Sequence, residues 1–106
     1  APLPTTDALR RGPVKIDPAG RSVELSGEVV ELTAKEFDLL LFLASHPGQV
    51  FSREQLLDAV WDYHYAGDPS TVTVHIRRLR EKVEVDPVRP KMIKTVWGVG
   101  YKFDVA

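Results

Sequence analysis

Cysteine is absent from the 106 residues. Without it there is no disulfide framework and no thiolate metal site, and a reducing cytoplasm is the compartment that fits. Long apolar runs are missing too. No stretch approaches the roughly 20 residues of a membrane span, and none at the start has the layout of a signal peptide. Neither sign of charge dominates, since 14 Lys/Arg meet 15 Asp/Glu for a formal net charge of −1. Catalytic constellations are lacking as well. His46, His64 and His75 fall on three different segments, and none has a ligand-spaced partner. No Ser/His/Asp order, Gly-rich phosphate loop or paired carboxylate site emerges. Asp62, His64 and Asp68 can be imagined as a metal cluster, but a scattered histidine is far more often solvated or hydrogen-bonded than a ligand. We therefore expect no enzyme, no metal and no cofactor.

What is present suits one soluble domain with one modest core, and a hydrophobic content of 43% is ordinary for that class. The small net charge hides an asymmetry. Residues 1–69 carry six Lys/Arg against eleven Asp/Glu, whereas residues 70–102 carry eight Lys/Arg against three Asp/Glu. A basic third on an otherwise acidic chain suggests one face prepared for an anion. The chain opens Ala-Pro-Leu-Pro rather than with Met, which we read as a processed product or a fragment of something longer.

Residues 1–13, with three prolines, two threonines and the Arg10-Arg11 pair, read as the end of a linker that contributes nothing to the core. The domain proper is residues 14–106. Three extended runs follow at Val14–Asp17, Ser22–Leu25 and Val29–Leu32, separated by turn signals at Pro18-Ala19-Gly20 and Ser26-Gly27-Glu28. Such tight connections make an antiparallel meander, with Val23, Leu25, Val30 and Leu32 on the covered face. Thr33-Ala34-Lys35-Glu36 is a capping box, and Leu32 with Phe37 is its hydrophobic staple. The helix it starts turns Phe37, Leu40, Leu41 and Ala44 inward and stops at Pro47-Gly48. After an extended link at Val50-Phe51, Ser52-Arg53-Glu54-Gln55 is a second capping box. Its helix buries Leu56, Leu57 and Val60 and ends at Trp61. Asp62–Gly67 is an irregular loop.

The stretch from Asp68 to Val83 carries two patterns. Thr71 to Ile76 alternates polar and apolar as a strand would, whereas Val72, Ile76, Leu79 and Val83 are spaced 4, 3 and 4 apart as on a helix. The helix accounts for the whole segment and the strand for six residues. Asp68 supplies an N-cap and Pro69 a first-turn residue whose missing N–H matters little. At about 100° per residue, the opposite face holds Ser70, Val74, Arg77 and Glu81, flanked by Thr73 and Arg78. One account is an ordinary solvated face; the other is a helix lying in a DNA major groove, its small residues near base edges and its arginines on guanines or phosphates. Asp86-Pro87 and Arg89-Pro90 end the helix. Met92–Trp97 and Val99–Val105 then form a hairpin about Gly98 that carries Lys94 and Lys102. The predicted class is α+β: a winged helix-turn-helix with an N-terminal antiparallel β-meander, three helices and a C-terminal β-hairpin wing. A winged helix used only as a protein-interaction module, docking an acidic partner, is the rival use of the same fold.

Five segments give the chain a family likeness: L-T-A-K-E-F-D-L-L (Leu32–Leu40), V-F-S-R-E-Q-L-L (Val50–Leu57), V-W (Val60, Trp61), V-H-I-R-R-L-R-E-K (Val74–Lys82) and T-V-W-G-V-G-Y-K-F (Thr95–Phe103). Together they resemble the DNA-binding effector domain of OmpR/PhoB-type response regulators over nearly the whole chain after the linker. The resemblance implies a cytoplasmic two-component transcription factor in a phosphorelay, with a receiver domain upstream that answers a sensor kinase. It implies a fragment that is monomeric alone and binds tandem half-sites of double-stranded promoter DNA as two copies. Position by position, Ser70, Thr71, Val74, His75, Arg77 and Arg78 match helix positions that meet DNA. Trp61 and Arg80 match places that touch or support the phosphate backbone, and Thr95, Trp97 and Tyr101 match the wing. The loop Asp62, Tyr63, His64, Tyr65, Ala66 and Gly67 matches a segment that contacts RNA polymerase in some relatives. Thr73 stands where relatives often have Asp. Trp97 stands where several put an Arg into the minor groove, so it either stacks on sugar or packs beneath the wing.

Overall fold

The N-terminal sheet has one more strand than the sequence predicts. In the computed structural model, which describes residues 8–61 and 68–104, β1 (Leu9–Arg11) pairs antiparallel with β2 (Val14–Asp17). β2 pairs with β3 (Ser22–Leu25) and β3 with β4 (Glu28–Val30), giving the order β1-β2-β3-β4. The reading of residues 1–13 as linker without core contribution is therefore corrected over Leu9–Arg11. Leu9 packs against the core, and Arg11 Nε donates to the Ala44 carbonyl at 3.1 Å. The dense prolines mask a strand that pairs through its neighbour. Ser26 and Gly27, both at positive φ (52° and 87°), close the β3–β4 hairpin in the left-handed turn that suits twisted strands. Val14, Ile16 and Val23 point inward and are fully or almost fully buried.

The first helix, α1 (Ala34–Ala44), begins as expected: Thr33 Oγ1 accepts from Glu36 N, and Glu36 Oε1 accepts in turn from Thr33 N. Its inward set differs from the predicted stripe. Leu39 and Leu43 are buried with Phe37, Leu40 and Ala44, while Leu41 is only half-buried. The reason is that α1 is covered from several sides, by the next two helical segments and by the wing, so one face does not describe it. The second helix, α2 (Arg53–Leu56), carries the Ser52–Gln55 capping box and continues through Leu57–Trp61 as a π-helical turn. Leu56, Leu57 and Val60 are buried as predicted. The third helix, α3 (Ser70–Val83), buries Val72, Ile76, Leu79 and Val83, so the helix reading of this segment holds over the strand reading.

The wing is β5 (Ile93–Val96) paired with β6 (Gly100–Phe103). Both strands are shorter than predicted, because Trp97, Gly98 and Val99 form the turn, closed by Val99 N donating to Val96 O at 2.9 Å. Phe51 bridges to Tyr101 through two backbone hydrogen bonds of 2.8 and 2.9 Å. The close approach explains Gly100, since a Cβ there would run into the Phe51 carbonyl.

One buried charge ties the layers together. Glu36 is 1% exposed, and its Oε1 accepts from Lys82 Nζ at 2.6 Å, joining the start of α1 to α3. Burial, the largest influence, pushes its carboxyl up, but the Lys82 and Thr33 hydrogen bonds and the Lys82 charge together hold it below the ordinary value. A depressed carboxyl contributes stability that is present above the unfolded-state pKa and lost as pH falls through the folded one. We expect Glu36→Gln to destabilise by about 1–3 kcal/mol at neutral pH. In urea unfolding, the gap to wild type should shrink as pH drops below about 4.3.

Candidate nucleic-acid interface

The orientation of α3 follows from its four buried residues. Asp68 caps it as predicted: its Oδ1 accepts from Ser70 N at 2.9 Å, and Pro69 already has helical angles. With Val72, Ile76, Leu79 and Val83 held inward, Ser70, Thr73, Val74, Arg77 and Arg78 are exposed along the outer side. Among the described residues, neither the Arg77 nor the Arg78 side chain has an ion pair or hydrogen bond. The face thus offers short polar groups, one apolar side chain (Val74, 43% exposed) and two free guanidinium groups.

The wing is held beside this face by residues one helical turn apart. Arg80 Nε donates to Ile93 O at 3.0 Å and Nη2 to Thr95 Oγ1 at 2.7 Å, with the guanidinium 5.6 Å from the Tyr101 ring centroid. Burial lowers the pKa of Arg80, against the opposing influence of Tyr101 and Glu84. Glu84 is buried, and its carboxylate accepts from Lys91 N at 2.9 Å, Met92 N at 3.1 Å and Ile93 N at 2.8 Å. Tyr101 is buried too, its hydroxyl 3.5 Å from Thr73 Oγ1. Arg80, Thr95 and Tyr101 are therefore engaged in joining wing to helix.

The remaining candidates separate into three places. His75 and Trp61 meet edge to face at 4.8 Å, and His75 Nδ1 lies 2.8 Å from the carbonyl of half-buried Thr71. A carbonyl can only accept, so that nitrogen carries the proton, and among the described residues Nε2 has no hydrogen-bond partner. Lys94 and Lys102 are register partners on the hairpin face opposite Thr95 and Tyr101, away from the α3 contact. Lys94 also pairs with Asp104 at 2.7 Å. Trp97 sits at the wing tip and is 89% exposed, so it does not pack beneath the wing. A cleft lined by Arg53, Glu54, Thr73, Thr95, Trp97 and Val99 joins the tip to the start of α3. The proposed polymerase-contact loop, Asp62–Gly67, lies outside the described residues. Sequence reasoning missed Glu84, the Glu36–Lys82 pair and Arg53. The one available signal was Arg80 followed four residues on by Glu84, just before the chain turns back as a strand.

Comparison with known proteins places this arrangement. A family described as "Transcriptional regulatory protein, C terminal" matches residues 27–103. The chain belongs to that family, the winged-helix effector domains of OmpR/PhoB-type response regulators. These are DNA-binding transcriptional regulatory domains and not enzymes. The transcriptional regulatory protein ResD of Bacillus subtilis is 48% identical over 106 residues, covering 99% of this chain and 44% of ResD. The DNA-binding response regulator MtrA of Mycolicibacterium smegmatis is 49% identical over 96 residues, 91% of this chain and 42% of MtrA. The chain thus spans less than half the length of these curated relatives. Among solved structures, Thermotoga maritima DrrB, an OmpR/PhoB homologue, superposes with a TM-score of 0.85 at 44% identity, over 92% of this chain and 44% of that one. The Klebsiella pneumoniae RstA DNA-binding domain, in complex with RstA box, gives 0.86 at 39% identity over 94% and 99%.

The two ion-bearing contacts of the wing should differ in weight. Glu84→Ala leaves three backbone N–H groups without their acceptor, so we expect a loss of at least about 2 kcal/mol in urea unfolding. Faster amide exchange at Met92 and Ile93 should accompany it. Lys94→Ala breaks only a half-exposed pair and should cost less than about 1 kcal/mol.

Proposed function

We propose that this domain binds double-stranded promoter DNA with α3 in the major groove and the wing along the adjacent groove and backbone. The observation that carries the proposal is the outer face of α3, where Arg77 and Arg78 stand exposed and unpaired among the described residues beside Ser70, Thr73 and Val74. Arginine can span guanine O6 and N7, and small or apolar residues accept thymine methyl groups. RstA, solved with RstA box, supports the same use of this fold. His75 Nε2, Trp61 and Lys102 fit contacts to the sugar-phosphate backbone. Arg80, Thr95, Tyr101 and Lys94 act through the position of the wing.

In the longer protein implied by the relatives' lengths, a receiver domain precedes residue 1 and takes its phosphoryl group from a sensor kinase. The free domain is monomeric, since its apolar stripes are consumed by one core, and two copies occupy tandem half-sites. The loop Asp62–Gly67 contacts RNA polymerase. Among the described residues no helix is long and apolar enough to cross a membrane, and we place the protein in the cytoplasm.

Salt tests the DNA reading directly. If each domain neutralises about five phosphates, log K against log[salt] should fall with a slope of about −4 to −5. Failure to bind duplex DNA even at low salt would remove this reading in favour of an acidic protein partner. Within it, Arg78→Ala should lose about 1–3 kcal/mol on the specific duplex and little on a scrambled one. Lys102→Ala should weaken both alike and lower the slope by about one. Equal losses on both duplexes for Arg78→Ala would assign base reading to another residue.

A further inference from the structure

The wing tip has a chemistry of its own. Val96-Trp97-Gly98-Val99-Gly100 contains no cation, although the strands on either side carry Lys94 and Lys102. Trp97 is 89% exposed and Val99 57%. Isolated apolar residues on a surface are ordinary, but here an indole and a valine flank one apex. Gly98, at a φ of 80°, lets the turn close tightly between them. The tip is also held in place. Phe51 pairs with Tyr101 and Arg80 with Thr95, just behind it on the two strands. The cleft bounded by Thr73 of α3 also opens onto Trp97 and Val99, so the tip continues the surface that faces the ligand.

Resting on the DNA reading above, we infer that Trp97 and Val99 form an apolar wedge that selects the sequence flanking the half-site by its deformability rather than by charge. Narrow minor grooves such as those of A-tracts attract inserted Arg or Lys through their negative potential, and this tip offers neither. Apolar wedges instead enter the minor groove between base steps and part them. Pyrimidine–purine steps, TA and CA/TG, yield most easily. An indole held at the apex of a braced hairpin gives sugar and base faces a flat apolar partner. Specificity then arises at base pairs with which no polar group of the tip forms a hydrogen bond.

In vitro selection from a random-sequence duplex library, with this chain and its Trp97→Ala and Trp97→Arg variants, tests the inference. All three should enrich one common core, read by α3. The wild type should also enrich TA or CA/TG at a fixed distance from that core. Trp97→Ala should lose this flank, and Trp97→Arg should replace it with A-tracts and steepen the salt slope by about one. On the wild-type duplex, Trp97→Ala should bind about tenfold more weakly; with the flank changed to an A-tract the two should bind alike. Melting temperatures should stay at the wild-type value, because the indole is exposed. A common core with an unchanged flank in Trp97→Ala would overturn the wedge and leave the DNA reading standing. A lowered melting temperature for Trp97→Ala would also overturn it, by assigning Trp97 to the fold. No enriched core for any variant would overturn both.

Discussion

The place of the wing depends on Glu84. A pair of four-residue strands is marginal by itself in water, and the connection from α3 to β5 contains two prolines and little apolar anchorage, with Val85 and Val88 almost wholly exposed. The buried Glu84 carboxylate gathers the N–H groups of Lys91, Met92 and Ile93, and so brings the chain back onto the end of the helix it has just left. Arg80, one turn earlier, then holds Ile93 and Thr95. Helix and wing become one surface because both ends of the junction are satisfied from the last turn of α3 and the residue that caps it. The Phe51–Tyr101 bridge completes the attachment and links it to the start of α2.

This division of labour explains how a nearly neutral domain presents a directed positive face. The basic stretch of α3 has two kinds of cation. Arg80 and Lys82 are engaged within the protein, the first with the wing and the second with buried Glu36 on α1. Arg77 and Arg78 are exposed, although Arg77 precedes Arg80 by three residues and Arg78 precedes Lys82 by four, so that each has an engaged cation as its neighbour along the helix. The wing thus engages Arg80 and buried Glu36 engages Lys82, while among the described residues the guanidinium groups of Arg77 and Arg78 have no such partner. A field of this sort depends on position rather than on net charge.

Local chemistry was legible wherever near neighbours in the chain set the outcome. Both capping boxes, the Asp68 cap and the buried stripe of α3 were read correctly, because each is decided by residues two to four apart along one helix. Reading failed where a distant segment takes part. β1 lies in a proline-rich stretch and forms because β2 and Ala44 are there to receive it. Leu39 and Leu43 are buried because α1 has several neighbours, which no single stripe records. Whether Arg80 touches or supports the phosphate backbone was open in the sequence; in the fold Arg80, Thr95 and Tyr101 each find a partner within the domain across at least 13 residues.

By itself the sequence determined the order of elements after β1, the inward face of α3 and the basic character of its outer side, since helical periodicity and capping are short-range. The family likeness followed from those same segments. Tertiary structure alone decided which cations find partners within the domain, that Trp97 stands exposed at the tip, and that Glu84 anchors the wing. Each of these depends on whether a second polar or apolar group, remote in the chain, arrives within a few ångströms. Side-chain type states what a residue can bond to; only the packed fold states what is there to be bonded.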